Sequence, residues 1–271
     1  MNHLMRNLAP IPTEAWEAIE EEASETLKEY LAGRKLADFT GPLGWQAYAV
    51  DLGVTKKLSK APEAGVDARQ RQALPLVEFR VPFEVPREKI EAVARGARHV
   101  AFDEVVEAAR KMAFAEDKAI FDGYSAGGID GIMSGSEHKA VTLSTDYEKY
   151  PSAVQEALTM LREEGVGGPY AIALGPRCYK GLMTTTSKGG YPVIEHVRQL
   201  IDGPLVWAPA VNGACVMSMR GGDFELVVGQ DISIGFTSAT DDKVRLYLEE
   251  SFTFRNLEPA AAVAMTYGRS K

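Results

Sequence analysis

One segment of the sequence matches a catalytic motif, the nucleophile elbow of serine hydrolases. Gly123, Ser125 and Gly127 fit the spacing G-x-S-x-G, and His138 and His196 follow as candidate bases. In that motif a strand leads into the serine and a helix leaves it, because the sharp turn between them exposes the hydroxyl. Here a helical pattern precedes Ser125 and more glycines follow it. A glycine-rich helix exit is therefore favoured, and a hydrolase centred on Ser125 is kept as the alternative.

The other reactive side chains do not have the spacing of a metal or cofactor site. The four histidines are scattered, and none lies four residues from another, as paired zinc ligands on a helix do. Cys178 and Cys215 match no zinc, redox or disulfide spacing. Gly165, Gly167 and Gly168 miss the pattern of a dinucleotide-binding turn. We expect no enzyme activity, no metal and no cofactor in the chain itself.

Composition restricts the classes of partner. The 271 residues include 30 basic and 38 acidic side chains, for a formal net charge of −8. This charge disfavours nucleic acid and anionic membrane, whose non-specific binding relies on neutralising phosphates. Residues 203 to 219 are uncharged, but Pro204 and Pro209 interrupt them, which predicts two buried strands and a turn rather than a membrane span. Residues 1 to 12 lack the apolar run of a secretory signal, so we expect a cytoplasmic protein.

The elements that would position these side chains begin with an amphipathic helix from Thr13 to Gly33. Apolar residues recur there at spacings of three and four, and seven glutamates fill the other positions. A solvated acidic face is the simplest interpretation of those glutamates. Two extended runs follow, 46–52 and 74–83, and the polar segment between Val54 and Gln72 carries a net charge of +3. Because an isolated two-stranded ribbon is marginal in water, we expect this hairpin to lie on a neighbouring chain.

Helices and strands alternate in the rest of the chain. Helices are predicted over 86–96 and 102–121, and a capping box of Ser152 and Gln155 predicts the start of a helix that ends at Glu164. A compact α/β segment and a long final strand follow. Its predicted strands are 171–174, 205–208, 214–219, 224–228 and 243–257, and its predicted helices are 176–183 and 192–201.

Short motifs stand in a distinctive order along nearly the whole chain. They include Leu8-Ala9-Pro10, Gly44-Trp45, Pro75-Leu76-Val77-Glu78, Arg220-Gly221-Gly222-Asp223-Phe224 and Glu250-Ser251-Phe252-Thr253-Phe254. In this order and spacing the chain resembles the family 1 shell proteins of encapsulin nanocompartments, also described as linocin-type bacteriocins. That family shares the fold of tailed-phage major capsid proteins.

The resemblance implies an α+β fold of the tailed-phage major capsid protein type, with a peripheral domain, an axial domain and an extended arm. It assigns three segments to the peripheral domain: 1–45 with a lumen-facing N-terminal helix, 86–136 with the spine helix, and 221–271 with the C-terminal strands and a return to the axial domain. The arm is assigned to 46–85, and the axial domain to 137–220. It also implies self-assembly of about sixty copies into an icosahedral shell.

The resemblance further implies that the shell encloses cargo enzymes held by C-terminal targeting peptides. A dye-decolorising peroxidase is the favoured cargo and a ferritin-like protein the second, so haem or iron belongs to the cargo. Arg34 and Asp38 match the charged positions of the peptide pocket, and a local ion pair between them is the alternative. The implied apolar walls are Leu27, Tyr30, Leu31, Ile232 and Ile234.

A five-fold pore is the second region that the resemblance implies. Its positions are Thr185, Thr186, Ser187, Lys188, Gly189, Gly190 and Tyr191. Lys188 departs from the histidine or acidic character of some relatives, so we expect no metal-ion selectivity. Glu88 stands where some shells carry a flavin-stacking tryptophan, so we expect no flavin. The alternatives for the whole chain are a serine hydrolase or bacteriocin-like activity at Ser125, and a prophage major capsid protein, which the acidic balance disfavours.

Overall fold

The structure, a computed structural model, describes residues 3–268. Two five-stranded sheets and a separate two-stranded ribbon are connected by six α-helices and short 3-10 turns. The helices are α1 (Thr13–Tyr30), α2 (Arg87–Ala94), α3 (Asp103–Phe121), α4 (Tyr150–Glu163), α5 (Pro176–Thr184) and α6 (Val193–Leu200). The strands are β1 (Asp38–Thr40), β2 (Ala49–Lys57), β3 (Arg69–Pro75), β4 (Val77–Pro86), β5 (Val141–Leu143), β6 (Tyr170–Leu174), β7 (Leu205–Trp207), β8 (Ala214–Ser218), β9 (Phe224–Val228), β10 (Ser233–Ala239), β11 (Lys243–Asn256) and β12 (Ala262–Tyr267).

The long strand β11 organises the first sheet. β4 pairs antiparallel with one edge of β11. The other edge of β11 pairs antiparallel with β10 and with β9, and β1 pairs parallel with β9. α1 and α3 cover this sheet, and their stripes bury Ile19 and Met112 against Phe83, Leu246 and Leu248. Full burial of each such side chain contributes about 1.5–3 kcal/mol. The helices are therefore fixed on the sheet by the apolar periodicity that predicted them.

The second sheet has the order β5-β12-β8-β6-β7 and packs against α4 and α5, and α6 packs against these two helices. Every residue of β6 and β8 is buried, as expected for strands covered on both faces. The strands β7 and β8 confirm that the uncharged segment after Gly203 folds as two short strands. Among the helices within residues 3–268, none has the length and hydrophobicity that a bilayer crossing requires.

The ribbon of β2 and β3 stands apart from both sheets. Of the predicted arm 46–85, β4 pairs with β11 in the first sheet, so from here on the arm means residues 46–75. Its two strands pair antiparallel and reach further into the polar segment than the sequence predicted, because pairing satisfies the main chain there without hydrophobic burial. Several apolar side chains of the arm are exposed in the single chain: Tyr48 by 82%, Val54 by 56% and Val66 by 54%.

Two local predictions were wrong or incomplete. The helix predicted to start at the capping box instead begins at Tyr150, and its N-cap, Lys149, makes no side-chain capping bond. Pro151 lies in the first turn, where its fixed φ favours helix and its missing N–H has no cost. The strand β12 was not predicted, because its alanine-rich sequence has weak strand propensity. It forms because β5 and β8 bury it on both edges.

Candidate binding groove

A groove of about 720 Å³ lies between α1 and β10. One wall comes from α1, where Ala23, Leu27 and Leu31 recur every four residues and so lie on one stripe. The opposite wall comes from Ile232 and Ile234, which are two residues apart and share one face of the extended chain. Leu4 and Leu248 complete the apolar lining. The charged residues around it are Arg6, Glu20, Lys28, Arg34, Lys35 and Asp231.

Arg34 lies in the 3-10 turn that follows α1, and carboxylates surround its guanidinium. Its Nε lies 2.9 Å from both carboxylate oxygens of Glu116, and its Nη2 lies 3.2 Å from Oε2 of Glu250. Its Nη1 donates to Oδ1 of Asp231 at 2.7 Å. Burial alone would lower the pKa of Arg34, but hydrogen bonding to Glu116 and the three negative charges raise it overall. Arg34 therefore connects α3, β11 and the groove, and its Nε, Nη1 and Nη2 each donate to a carboxylate of this chain.

The two glutamates beneath Arg34 have no exposed side-chain area. Burial, followed by the charge of Glu116, raises the pKa of Glu250 well above its usual range. The guanidinium of Arg34, which lies against both carboxyl groups, offsets part of this rise. The floor of the groove near Asp231 is thus held by a buried charged network rather than by apolar contacts alone.

The turn before Arg34 is fixed by Asp117 of α3. The carboxylate of Asp117 accepts from Ala32 N–H at 2.9 Å and from Gly33 N–H at 2.8 Å. A Cβ on Gly33 would lie 2.6 Å from Cδ1 of Ile120, so only glycine allows this close approach. Burial, partly offset by the two main-chain donors, raises the pKa of Asp117 to about 7.

Asp117 makes stability depend on pH. The folded protein keeps a proton on Asp117 that the unfolded chain releases near pH 4, so this group stabilises the fold least above pH 7. We expect stability to fall by on the order of 3 kcal/mol between pH 5 and pH 8 through this group. Asp117→Asn should flatten that part of the pH profile in thermal unfolding. Asp103→Asn, at the exposed start of the same helix, is the control, and an unchanged slope in Asp117→Asn would refute the assignment.

One of the predicted wall residues, Tyr30, lies outside the groove. The ring of Tyr30 packs against Trp207 at 5.3 Å and Phe114 at 6.1 Å between centroids, with the Arg110 guanidinium 4.9 Å above it. Tyr30 follows Leu27 by three residues and faces α3 and β7, whereas Leu31 returns to the groove. Leu27, Leu31, Arg34, Ile232 and Ile234 are the predicted residues that the structure brings together.

Asp38 is separated from Arg34 by the end of the helix. α1 ends at Tyr30, so the spacing of four residues no longer brings the two side chains together. Asp38 begins β1 and accepts from Gly222 N–H at 2.6 Å, and it is not among the residues that line the groove. The Arg34–Asp38 ion pair, which was the alternative interpretation, does not form, and Arg34 pairs instead with Glu116, Asp231 and Glu250.

Sequence reasoning missed the N-terminal segment as a wall of the groove. Leu4 lines it, and the Leu4 carbonyl accepts from Phe236 N–H at 2.8 Å. Arg6 pairs with Glu20 at 2.5 Å and lies over the ring of Trp16 at 4.3 Å. The lone Arg6 ahead of a glutamate-rich helix was the available signal. The contact of Leu4 with β10 had no local signal, because it joins residues more than two hundred positions apart.

Ser125 does not lie in a nucleophile elbow. It begins a 3-10 turn directly after α3, so a helix rather than a strand leads into it. His138 Nε2 lies 2.8 Å from the carbonyl of Ala260, and the ring of His196 packs edge-on to Tyr191 at 4.9 Å. Within residues 3–268 neither histidine bonds to Ser125, and no group of three potential metal ligands converges.

The segment assigned to a pore forms the loop between α5 and α6. Ser187 N–H donates to the carbonyl of Tyr191, and Gly190 N–H donates to the carbonyl of Ser187, both at 2.8 Å. These bonds close a narrow turn in which Lys188 is exposed. The loop therefore presents small polar residues and one cation at its tip.

Comparison with known proteins identifies the family. A family model described as "Encapsulating protein for peroxidase" matches residues 1–253. The type 1 encapsulin shell protein of Rhodospirillum rubrum is 52% identical over 270 residues, which cover 98% of this chain and 96% of that protein. The chain belongs to the encapsulin shell proteins. The type 1 encapsulin shell protein of Mycolicibacterium paratuberculosis is 46% identical over 266 residues, with coverage of 98% and 100%.

Solved structures confirm the fold expected for an encapsulin. A virus-like particle from Pyrococcus furiosus matches with a TM-score of 0.65 at 18% identity, covering 93% of this chain and 99% of that one. A chain of Gordonia phage Cozz matches with a TM-score of 0.57 at 16% identity, covering 89% and 88%. The capsid of Myoviridae phage XM1 gives a TM-score of 0.55 at 12% identity, with coverage of 88% and 92%. The chain has the tailed-phage major capsid protein fold.

Proposed function

We propose that this encapsulin chain assembles into a closed icosahedral shell of about sixty copies. The arm carries the proposal, because it leaves Tyr48, Val54 and Val66 exposed and has no core of its own. An exposed apolar ribbon of this kind is stabilised when it packs on a partner. Since all copies are identical, each arm would lie on the next subunit and receive one in turn.

The groove between α1 and β10 would bind the C-terminal targeting peptide of a cargo enzyme. Its apolar walls from Leu27, Leu31, Ile232 and Ile234 suit aliphatic side chains, and charged residues stand at its rim. Arg34 fixes the floor through Glu116 rather than contacting the peptide with a free charge. The family description names a peroxidase, which supports a dye-decolorising peroxidase as cargo ahead of a ferritin-like protein.

The remaining surfaces fit a cytoplasmic compartment for protein cargo. Glu14, Glu17, Glu21 and Glu25 are exposed on α1 beside the groove and would give the lumen a negative lining. The loop from Thr185 to Tyr191 would line the five-fold pore and bring one Lys188 from each subunit to the opening. The shell itself would have no catalytic residue, and a haem or iron centre would belong to the cargo.

Purification of native particles tests the cargo assignment. We expect mass spectrometry to find a dye-decolorising peroxidase together with the shell protein, and to find a C-terminal extension on that enzyme. The peroxidase should be lost from the particles when its C-terminal extension is removed. Native particles that contain no second protein, or a cargo that is retained without its C-terminus, would contradict this proposal.

A further inference from the structure

One edge of the first sheet is open beside the groove. β10 pairs with β11 on one side, and no strand pairs with its other side within residues 3–268. In that part of the chain the outer edge of β10 makes one main-chain hydrogen bond, from Phe236 N–H to the carbonyl of Leu4. Among residues 3–268, the contact of the N-terminal segment with the main chain of this edge is therefore at Phe236.

The register shows which main-chain groups point toward the open edge. Phe236 is opposite Leu246, and its N–H points away from β11 toward Leu4, so this is a pair without mutual hydrogen bonds. Such pairs alternate along an antiparallel ladder, and the pair of Ile234 with Leu248 is two residues away. The N–H and C=O of Ile234 must therefore also point away from β11, toward the open edge.

Ile234 is also a residue of the groove. Its side chain faces α1, and its main-chain groups lie at the edge where the groove opens. The α1 residues along the groove, from Glu20 to Leu31, span about 16 Å at about 1.5 Å per residue. This length matches about five residues of an extended chain at about 3.3 Å each. An α-helical ligand in the same space would leave the open strand edge unpaired.

We propose that the targeting peptide binds as an added β-strand on the open edge of β10, next to Ile234. This inference rests on the proposed function and specifies how its groove is used. Alternate aliphatic side chains of the peptide point toward Leu27 and Leu31, and those between them face away from the groove. Leu4 ends the open edge on one side, and Asp231 lies at the other end of the groove. Main-chain pairing supplies affinity, and the apolar stripe selects residues at every second position.

An N-methyl scan of the peptide tests this mode without changing the shell. The probe is a synthetic peptide of the last twenty residues of the protein that co-purifies with native particles, and its affinity for cargo-free particles is measured by fluorescence polarisation. N-methylation removes one main-chain donor and blocks pairing at that residue. We expect a loss of at least about 10-fold at every second residue of a five-residue stretch, and less than about 2-fold at the residues between.

The outcomes separate this proposal from the function on which it rests. In one outcome, the unmodified peptide binds to unaltered particles but not to Leu27→Asp particles, and N-methylation shows no alternation. Strand addition is then wrong, and the assignment of the groove is supported. If the unmodified peptide fails to bind, or binds Leu27→Asp particles equally well, the groove assignment is wrong and strand addition is wrong with it. Alternating losses together with the Leu27 dependence support both.

Discussion

Replacement of Val54 and Val66 by aspartate is expected to prevent shell assembly and leave folded protein of low mass. Both side chains lie on the arm and are more than half exposed in the single chain, so the change removes little burial within the subunit. In the shell the same positions would bury two carboxylates per subunit against a neighbour, which costs several kcal/mol at each interface. Size-exclusion chromatography with light scattering measures the mass, and circular dichroism measures the fold.

The control for the arm variant is the conservative pair Val54→Ile and Val66→Ile. These substitutions keep the apolar character and β-branching of both positions, so particles should form as in the unaltered protein. If the aspartate variant still elutes as full-sized particles, the apolar residues of the arm do not hold the subunits together. The exposed hydrophobic surface of the arm would then need another explanation.

Leu27→Asp is expected to remove cargo from particles that still assemble. Leu27 is half-buried on the groove wall, so its substitution affects the groove more than the core beneath α1. Loss of an aliphatic contact together with burial of a carboxylate should weaken peptide binding by at least about 100-fold. Co-expression with the cargo, followed by quantification of both proteins in purified particles, gives the cargo-to-shell ratio.

Two matched variants show whether the groove is responsible. Leu27→Met keeps an apolar side chain of similar volume and should retain cargo. Asp38→Asn lies outside the groove, and its amide oxygen can still accept from Gly222 N–H, so it should also retain cargo. Full cargo in Leu27→Asp particles would place the binding site elsewhere, and loss of cargo in Asp38→Asn would place it near the turn at Gly222.

The fold was largely predictable because its long elements have strong periodic signals. The apolar stripe of α1 indicated which face would pack, and the long run after Lys243 predicted β11. Short strands such as β1 and β12 were missed, because three to six residues carry little periodic signal. They form through pairing with β9 and β8, which are close in space and distant in sequence.

The resemblance to a known family implied the groove walls Leu27, Leu31, Ile232 and Ile234. The periodicities of a helix and a strand explain why the members of each pair share one face. Arg34 was found, but its partners could not be deduced, because Glu116 and Glu250 lie on elements more than eighty residues away. The resemblance implied Asp38 as a charged residue of the same pocket, and an ion pair with Arg34 was the alternative. The four-residue spacing brings side chains together only within a helix, and α1 ends at Tyr30.

The mass of the purified protein, expressed without cargo, tests the central claim most directly. A shell of about sixty copies would have a mass of about 1.8 MDa, and electron microscopy should show hollow spheres of uniform size. Native mass spectrometry and light scattering both measure this value. A particle of about 1.8 MDa is the expected result, and a protein that stays at 29.5 kDa under all buffer conditions would contradict the account.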